Sequence, residues 1–119
     1  MKYEEALALV PVKNGWIHEE GEDSDSVVHY VDGVVHREDG PAVIDYHESQ
    51  FYYQNGKCHR EDGPAIIWSN GSEDYIQNGK FHREDGPARI FSSGAKEYWV
   101  NGVRFTEKQF RRKYPIKES

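Results

Sequence analysis

Short apolar runs alternate with turn-forming residues along most of the chain. Ala65-Ile66-Ile67-Trp68 and Glu73-Asp74-Tyr75-Ile76-Gln77 are strand-length runs; Ser69-Asn70-Gly71 separates them and Asn78-Gly79 closes the second. Ser92-Ser93-Gly94 punctuates the next stretch in the same way. Ala65 and Ile67 lie two residues apart and so share one strand face, as do Ala42 with Ile44, Ala88 with Ile90, and Tyr98 with Val100. Asp32-Gly33, Asn55-Gly56, Asn78-Gly79 and Asn101-Gly102 supply the residue types that tolerate positive φ at both centres of a two-residue hairpin turn. The pattern predicts a mainly β protein, an antiparallel meander of successive hairpins.

The punctuation is itself periodic. His36-Arg37-Glu38-Asp39-Gly40-Pro41-Ala42 recurs unchanged at 59–65 and at 82–88, with a spacing of 23 residues both times. Ile44, Ile67 and Ile90 keep the same period, as do Tyr52, Tyr75 and Tyr98. Internal repetition of this length defines stacked supersecondary units. The chain therefore divides, within a single domain 1–119, into full repeats at 32–54, 55–77 and 78–100. An irregular cap with a degenerate first unit precedes them at 1–31, and a C-terminal cap follows at 101–119. Asn14-Gly15 reads as the start of that shortened first unit.

Within the motif, Gly before Pro favours extended geometry, and Pro donates no N–H to a ladder. Asp39-Gly40-Pro41, Asp62-Gly63-Pro64 and Asp85-Gly86-Pro87 are thus expected to bulge or bend into the next strand. Each Asp is expected to bond nearby backbone N–H groups. His36, His59 and His82, with the arginines that follow them, are expected to reach a neighbouring unit's carbonyls or Tyr ring. These residues are assigned a structural role.

The end caps read differently. Thr106 suits a helix N-cap with Gln109 completing a capping box; Glu107 favours the first turn, Arg111-Arg112-Lys113 the last, and Pro115 the stop. Phe110 and Tyr114 fall one helical turn apart and are expected to lid the sheet edge. Residues 3–10 are expected to do the same at the other end.

Composition narrows the functions. The 119 residues carry a net charge of −6, which argues against general phosphate-directed nucleic-acid binding and favours a basic protein partner. Only 36% of residues are apolar but 13% are aromatic, which suits a thin, half-wet sheet. The lone cysteine, Cys58, excludes an internal disulfide or thiolate zinc cluster, shares its column with Val35 and Phe81, and reads as a small buried apolar residue. No apolar run reaches membrane-spanning length, and Met1-Lys2-Tyr3-Glu4-Glu5 does not read as a signal peptide, so the expected location is cytoplasmic.

The unit Asn-Gly-Lys-x-His-Arg-Glu-Asp-Gly-Pro-Ala-x-Ile resembles the MORN-like hairpin repeats of bacterial proteins, including the YwqK-type group described as antitoxins. In its stricter form it is similar to a repeat common in small tailed-phage proteins that end in a short helix after a last Asn-Gly. The resemblance covers about residues 30–114. It implies a location in a bacterial or phage-infected cytoplasm and a protein partner, which the protein would inhibit.

Three chemistries compete for the function. The His-Arg-Glu-Asp set contains acid, base and metal-ligand groups, the basis for a metal-assisted hydrolase or nuclease. However, it is triplicated, and aligned His36, His59 and His82 stand about 10 Å apart, too far to share one ion. A capture protein for a small nucleotide signal needs a basic pocket, which the sequence does not supply. The leading expectation is a non-enzymatic protein-binding module with no cofactor and no metal. Tyr53, Trp68, Phe91 and Trp99 lie in columns that vary between units, and varied aromatics on a constant scaffold describe a recognition surface. Glu19, Glu20, Glu22, Asp23 and Asp25 form an acidic loop that would add contacts. Self-association through sheet edges is a further expectation.

Overall fold

The computed structural model describes residues 14–19 and 25–115. Residues 3–10, with Glu20, Glu22 and Asp23, lie outside that range, and so do the expectations placed on them. The described chain is mainly antiparallel β with one short C-terminal helix. In order, its strands are β1 (Asn14–Glu19), β2 (Ser26–Val31), β3 (Val34–Val35), β4 (Val43–Asp45), β5 (Gln50–Phe51), β6 (Tyr53–Gln54) and β7 (Lys57–Cys58). They continue as β8 (Ile66–Ile67), β9 (Glu73–Asp74), β10 (Ile76–Gln77), β11 (Lys80–Phe81), β12 (Arg89–Ile90), β13 (Lys96–Val100) and β14 (Val103–Phe105), and helix α1 (Glu107–Lys113) follows.

The main sheet runs β1-β2-β4-β5-β8-β9-β12-β13-β14, so its order follows the sequence and its two ends are far apart. The molecule measures 60 × 26 × 24 Å with a radius of gyration of 17.2 Å. A compact chain of this length would have a radius of about 13–14 Å. Strand pairs β2-β3, β6-β7, β10-β11 and β13-β14 close across the Asp-Gly and Asn-Gly turns. Asp32, Asn55, Asn78 and Asn101 take φ of 50–52°, and the glycines after them take 77–79°. These are the turn conformations that the dipeptides favour. Asn14-Gly15 behaves otherwise: both residues lie within β1, which pairs residue for residue with β2.

The seven-residue motif is an excursion from a strand. Tyr52 donates its N–H to the Ala65 carbonyl (2.7 Å) and accepts the His59 N–H on its own carbonyl (2.9 Å), so one residue pins both ends of the motif. Tyr75 holds His82 and Ala88 in the same way, and His29 holds His36 and Ala42. Between the pinned ends, Arg60 folds back over its own loop. Its Nε lies 3.2 Å from Asp62 Oδ1, its Nη1 donates to the Pro64 carbonyl at 3.1 Å, and its guanidinium stacks 4.0 Å from the Tyr52 ring centre. Arg83 repeats this with Asp85, Pro87 and Tyr75. Arg37 binds Asp39 and Pro41 but lies over Trp16, at 5.0 Å.

These contacts revise two expectations about the motif. The aspartates Asp39, Asp62 and Asp85 hold arginine side chains; their structural partners are guanidinium groups rather than backbone N–H groups. The histidines accept rather than reach carbonyls: Nδ1 of His36, His59 and His82 takes the N–H of Asn55, Asn78 and Asn101 in the following turn at 2.9–3.0 Å. Gly63 also has a second reason to be glycine. A Cβ there would lie 3.0 Å from the Arg60 Cζ, so the side chain is missing where the guanidinium packs. Gly40 and Gly86 stand in the same relation to Arg37 and Arg83.

The core is thin. Ala42, Ala65 and Ala88 are fully buried, with Val28 buried elsewhere in the main sheet and Ile76 in the β10-β11 hairpin. At the C-terminal end the excursion is replaced. Phe105 and Thr106 fall where the period would put His and Arg, and the chain turns into α1 instead. Thr106 Oγ1 accepts the Gln109 N–H at 3.1 Å, and Gln109 Oε1 accepts the Thr106 N–H at 2.9 Å, completing the expected capping box. Phe110 packs on Tyr98 at 4.8 Å between ring centres. It packs on the Tyr98 ring as the arginines pack on Tyr52 and Tyr75, at the last strands of the sheet. Among the described residues no helix is long and apolar enough to cross a membrane.

Candidate binding face

Cross-strand pairing places one residue from each successive strand in a single row on the sheet face opposite the Tyr-pinned loops. The row reads Ile17, Val28, Val43, Phe51, Ile66, Asp74, Arg89, Glu97. It begins apolar and ends in three charged residues. The charged end is singular in the molecule, because the residues one and two periods earlier, Val43 and Ile66 for Arg89, and Phe51 for Asp74, are hydrophobic.

Asp74 is the centre of this end. It is 3% exposed, and its carboxylate accepts from Arg89 Nε at 3.0 Å and from the Trp68 indole N–H at 2.8 Å. Burying a carboxylate is costly unless it is paired and hydrogen-bonded, and both conditions hold here. Arg89 also reaches Glu97 at 3.6 Å, and its guanidinium lies 4.6 Å from the Phe81 ring centre and 4.9 Å from that of Phe91. Glu97 accepts the Trp99 indole N–H at 2.9 Å and sits 3.6 Å from Arg104. Trp99 packs on Phe81 at 5.3 Å, and Trp68 stands edge-on to Phe51 at 5.6 Å.

Three of the four aromatic residues singled out in the sequence thus converge. Trp68, Phe91 and Trp99 surround the Asp74–Arg89–Glu97 chain, with Trp68 the most exposed at 37%. Tyr53 does not join them: it is paired opposite Cys58 in the β6-β7 hairpin. Burial, then the nearby Cys58, raises the Tyr53 hydroxyl pKa. Glu19 and Asp25, the described members of the acidic set, lie elsewhere too. Glu19 accepts a hydrogen bond from the Tyr30 hydroxyl, which is the main reason the Tyr30 pKa rises to about 12, and Asp25 lies 3.9 Å from His18. Both belong to the β1-β2 end, several strands from Trp68 and Trp99. Asp74, Arg89, Glu97 and Phe81 were not singled out in the sequence. The available signal was a charged residue in the middle of Ala88-Arg89-Ile90, where the other units read Ala42-Val43-Ile44 and Ala65-Ile66-Ile67.

Cys58 is half-buried. Burial, with a smaller contribution from the Asp74 charge, pushes its thiol up to about 11. The reactive species is the thiolate, so its population is low at neutral pH and grows only as pH rises through that value. Against an ordinary thiol of pKa 9.0, the thiolate fraction at pH 8 falls roughly a hundredfold, and the greater nucleophilicity of a more basic thiolate returns about tenfold. Labelling by a disulfide reagent at pH 8 is therefore expected to run about tenfold slower than for a free cysteine peptide. An equal rate would place Cys58 in water.

On the opposite face, successive motif loops leave equivalent clefts. One, of about 460 Å³, has Tyr52 and Gln54 between Arg37-Glu38-Asp39 and Arg60-Glu61-Asp62; the next, of about 510 Å³, has Tyr75 and Gln77 between the second and third loops. Their arginines and aspartates already bind one another. Among the described residues no three His, Cys, Asp or Glu side chains converge to hold a metal ion.

Fold and face together define a mainly antiparallel β protein with a polar–aromatic patch toward one end of its main sheet. No protein-family model matches the chain, nor does any curated protein or any solved structure.

Proposed function

We propose that this chain is a non-enzymatic protein-binding module, a meander of 23-residue hairpin units of MORN-like kind that presents the aromatic patch of its second and third units to a partner. The observation that carries the reading is the contrast between the two faces. Across the loop face, Arg–Asp–Pro contacts and the His-to-turn bond recur at each period, which suits a scaffold. Across the other face, residues change from unit to unit and culminate in Trp68, Phe91 and Trp99 around Arg89. Tryptophan and arginine are the residue types that dominate interface energetics, above all when packed and partly desolvated. The net charge of −6 favours a basic partner. The resemblance to antitoxin-type and phage repeat proteins extends the reading to a module that inhibits what it binds, in a bacterial or phage-infected cytoplasm.

The test is affinity capture from the cells that carry the protein, followed by identification of what stays bound, with wild type beside Trp68→Ala and Phe91→Ala. A single stoichiometric partner is expected on the wild type, with binding at least tenfold weaker on each variant. Tyr46→Ala is the control, since Tyr46 is exposed on the turn between β4 and β5 and its ring packs on His47. Equal capture by all four proteins would remove the patch from the interface. A common loss of the melting transition in the two patch variants would mark those rings as core.

A further inference from the structure

In the interior of the main sheet, each of the short strands β5 and β9 is paired on both sides. β5 lies between β4 and β8, and β9 between β8 and β12. The corresponding segment of β13, Lys96–Glu97, pairs with β12 on one side. On its outer side it pairs with no strand among the described residues, because β14 takes only Tyr98–Val100. In the earlier units that outer position is filled by the triplet that ends each motif, Ala65-Ile66-Ile67 against β5 and Ala88-Arg89-Ile90 against β9. One period further on, the chain is in α1 and supplies no such triplet. An open cleft of about 570 Å³ remains, lined among others by Lys96, Glu97, Tyr98, Phe105, Glu107 and Gln109.

We infer that this outer edge of β13 is a strand-acceptor site that takes a short extended segment of another protein. The occupied positions specify the occupant: a small residue, any residue, then a β-branched residue. Ala42, Ala65 and Ala88 at the first position are each 0% exposed, so a larger side chain has no room there. Affinity at such an edge comes from main-chain hydrogen bonds, and selectivity from alternate side chains. A second copy of this chain is the poorer occupant, since its own three triplets are already paired. Lys96 at the rim and α1 beside the cleft restrict the site to a short segment and oppose open-ended sheet growth. The site borders the aromatic patch at Glu97 but depends on backbone rather than on tryptophan contacts.

The probe is a fluorescently labelled peptide with the sequence of residues 63–68, Gly-Pro-Ala-Ile-Ile-Trp, titrated with the full chain and followed by polarisation. Saturable one-to-one binding is expected, together with slowed amide exchange at 96–98. Methylating the amide nitrogen of the second Ile, or replacing the peptide's Ala with Leu, is expected to weaken binding about tenfold or more. No saturation at millimolar peptide, or affinity unchanged by both modifications, would overturn the inference. Sedimentation of the protein alone as a dimer, dissociated by the peptide, would overturn it in favour of a second copy as occupant.

Discussion

Phe110→Ala is expected to lower the stability of the folded chain by about 3–5 kcal/mol and its melting temperature by about 12–20 °C. Phe110 is the largest fully buried side chain among the described residues, 1% exposed, and its ring lies 4.8 Å from that of Tyr98 and 5.3 Å from that of Tyr114. Among the described residues Tyr98 and Val100 are the other buried members of that cluster, with Phe105 and Tyr114 partly buried against it, and the three on β13 and β14 are held by strand pairing and cannot relax fully into the space left behind. The helix contributes little of its own: seven residues are too few to persist in water, and its capping box helps only once packing holds it in place. Phe110 is therefore what fixes α1 over the end of the sheet. In a stack of units each neighbour stabilises the next, and losing an end cap exposes the unit beneath it. Amide exchange should accelerate first at 96–114 and only later toward β2, while Phe110→Leu should recover most of the loss. A change below about 4 °C would show that α1 is not part of the cooperative unit.

Much of this architecture is legible in the sequence, since local chemistry decides it. Asn55-Gly56 and its equivalents turn where positive φ is available, and Thr106 with Gln109 starts the helix where a capping box requires it. Asn14-Gly15 shows the limit. The same dipeptide lies inside a strand, because pairing along all of β2 outweighs a local turn preference. The motif's inner bonding was legible only in part. Sequence periodicity marks Arg60 as structural, but that it curls onto Tyr52 and excludes a Cβ at Gly63 depends on Tyr52 pinning both ends of the loop, a non-local bond. For the binding face, aromatic columns point to Trp68, Phe91 and Trp99. What assembles them is the register that puts Asp74, Arg89 and Glu97 side by side from three strands, and register is not written in any one unit.

Arg89→Met is the substitution expected to separate stability from recognition on that face. It keeps an unbranched stem between Phe81 and Phe91 but removes the guanidinium that neutralises Asp74. The Asp74 side chain is 4% exposed, and the Trp68 indole would be left as its remaining side-chain partner. Breaking a buried pair from one side strands a charge, and the expected loss is about 3–5 kcal/mol, read from the urea midpoint. Adding Asp74→Leu should return most of it, because an apolar pair replaces a desolvated ionic one at little or no net cost. The earlier units already carry such a solution at the equivalent positions, with Phe51 opposite Ile66 and Val28 opposite Val43. Trp68 is exposed enough for water to take its indole N–H, and Glu97 keeps Trp99 and Arg104. If the double variant is as stable as wild type but captures the partner at least tenfold more weakly, the ionic row serves recognition, and its burial is a cost the fold carries for that purpose. If stability and capture return together, the row is a structural substitute for the apolar pairs of the other units, and the interface lies elsewhere on the molecule.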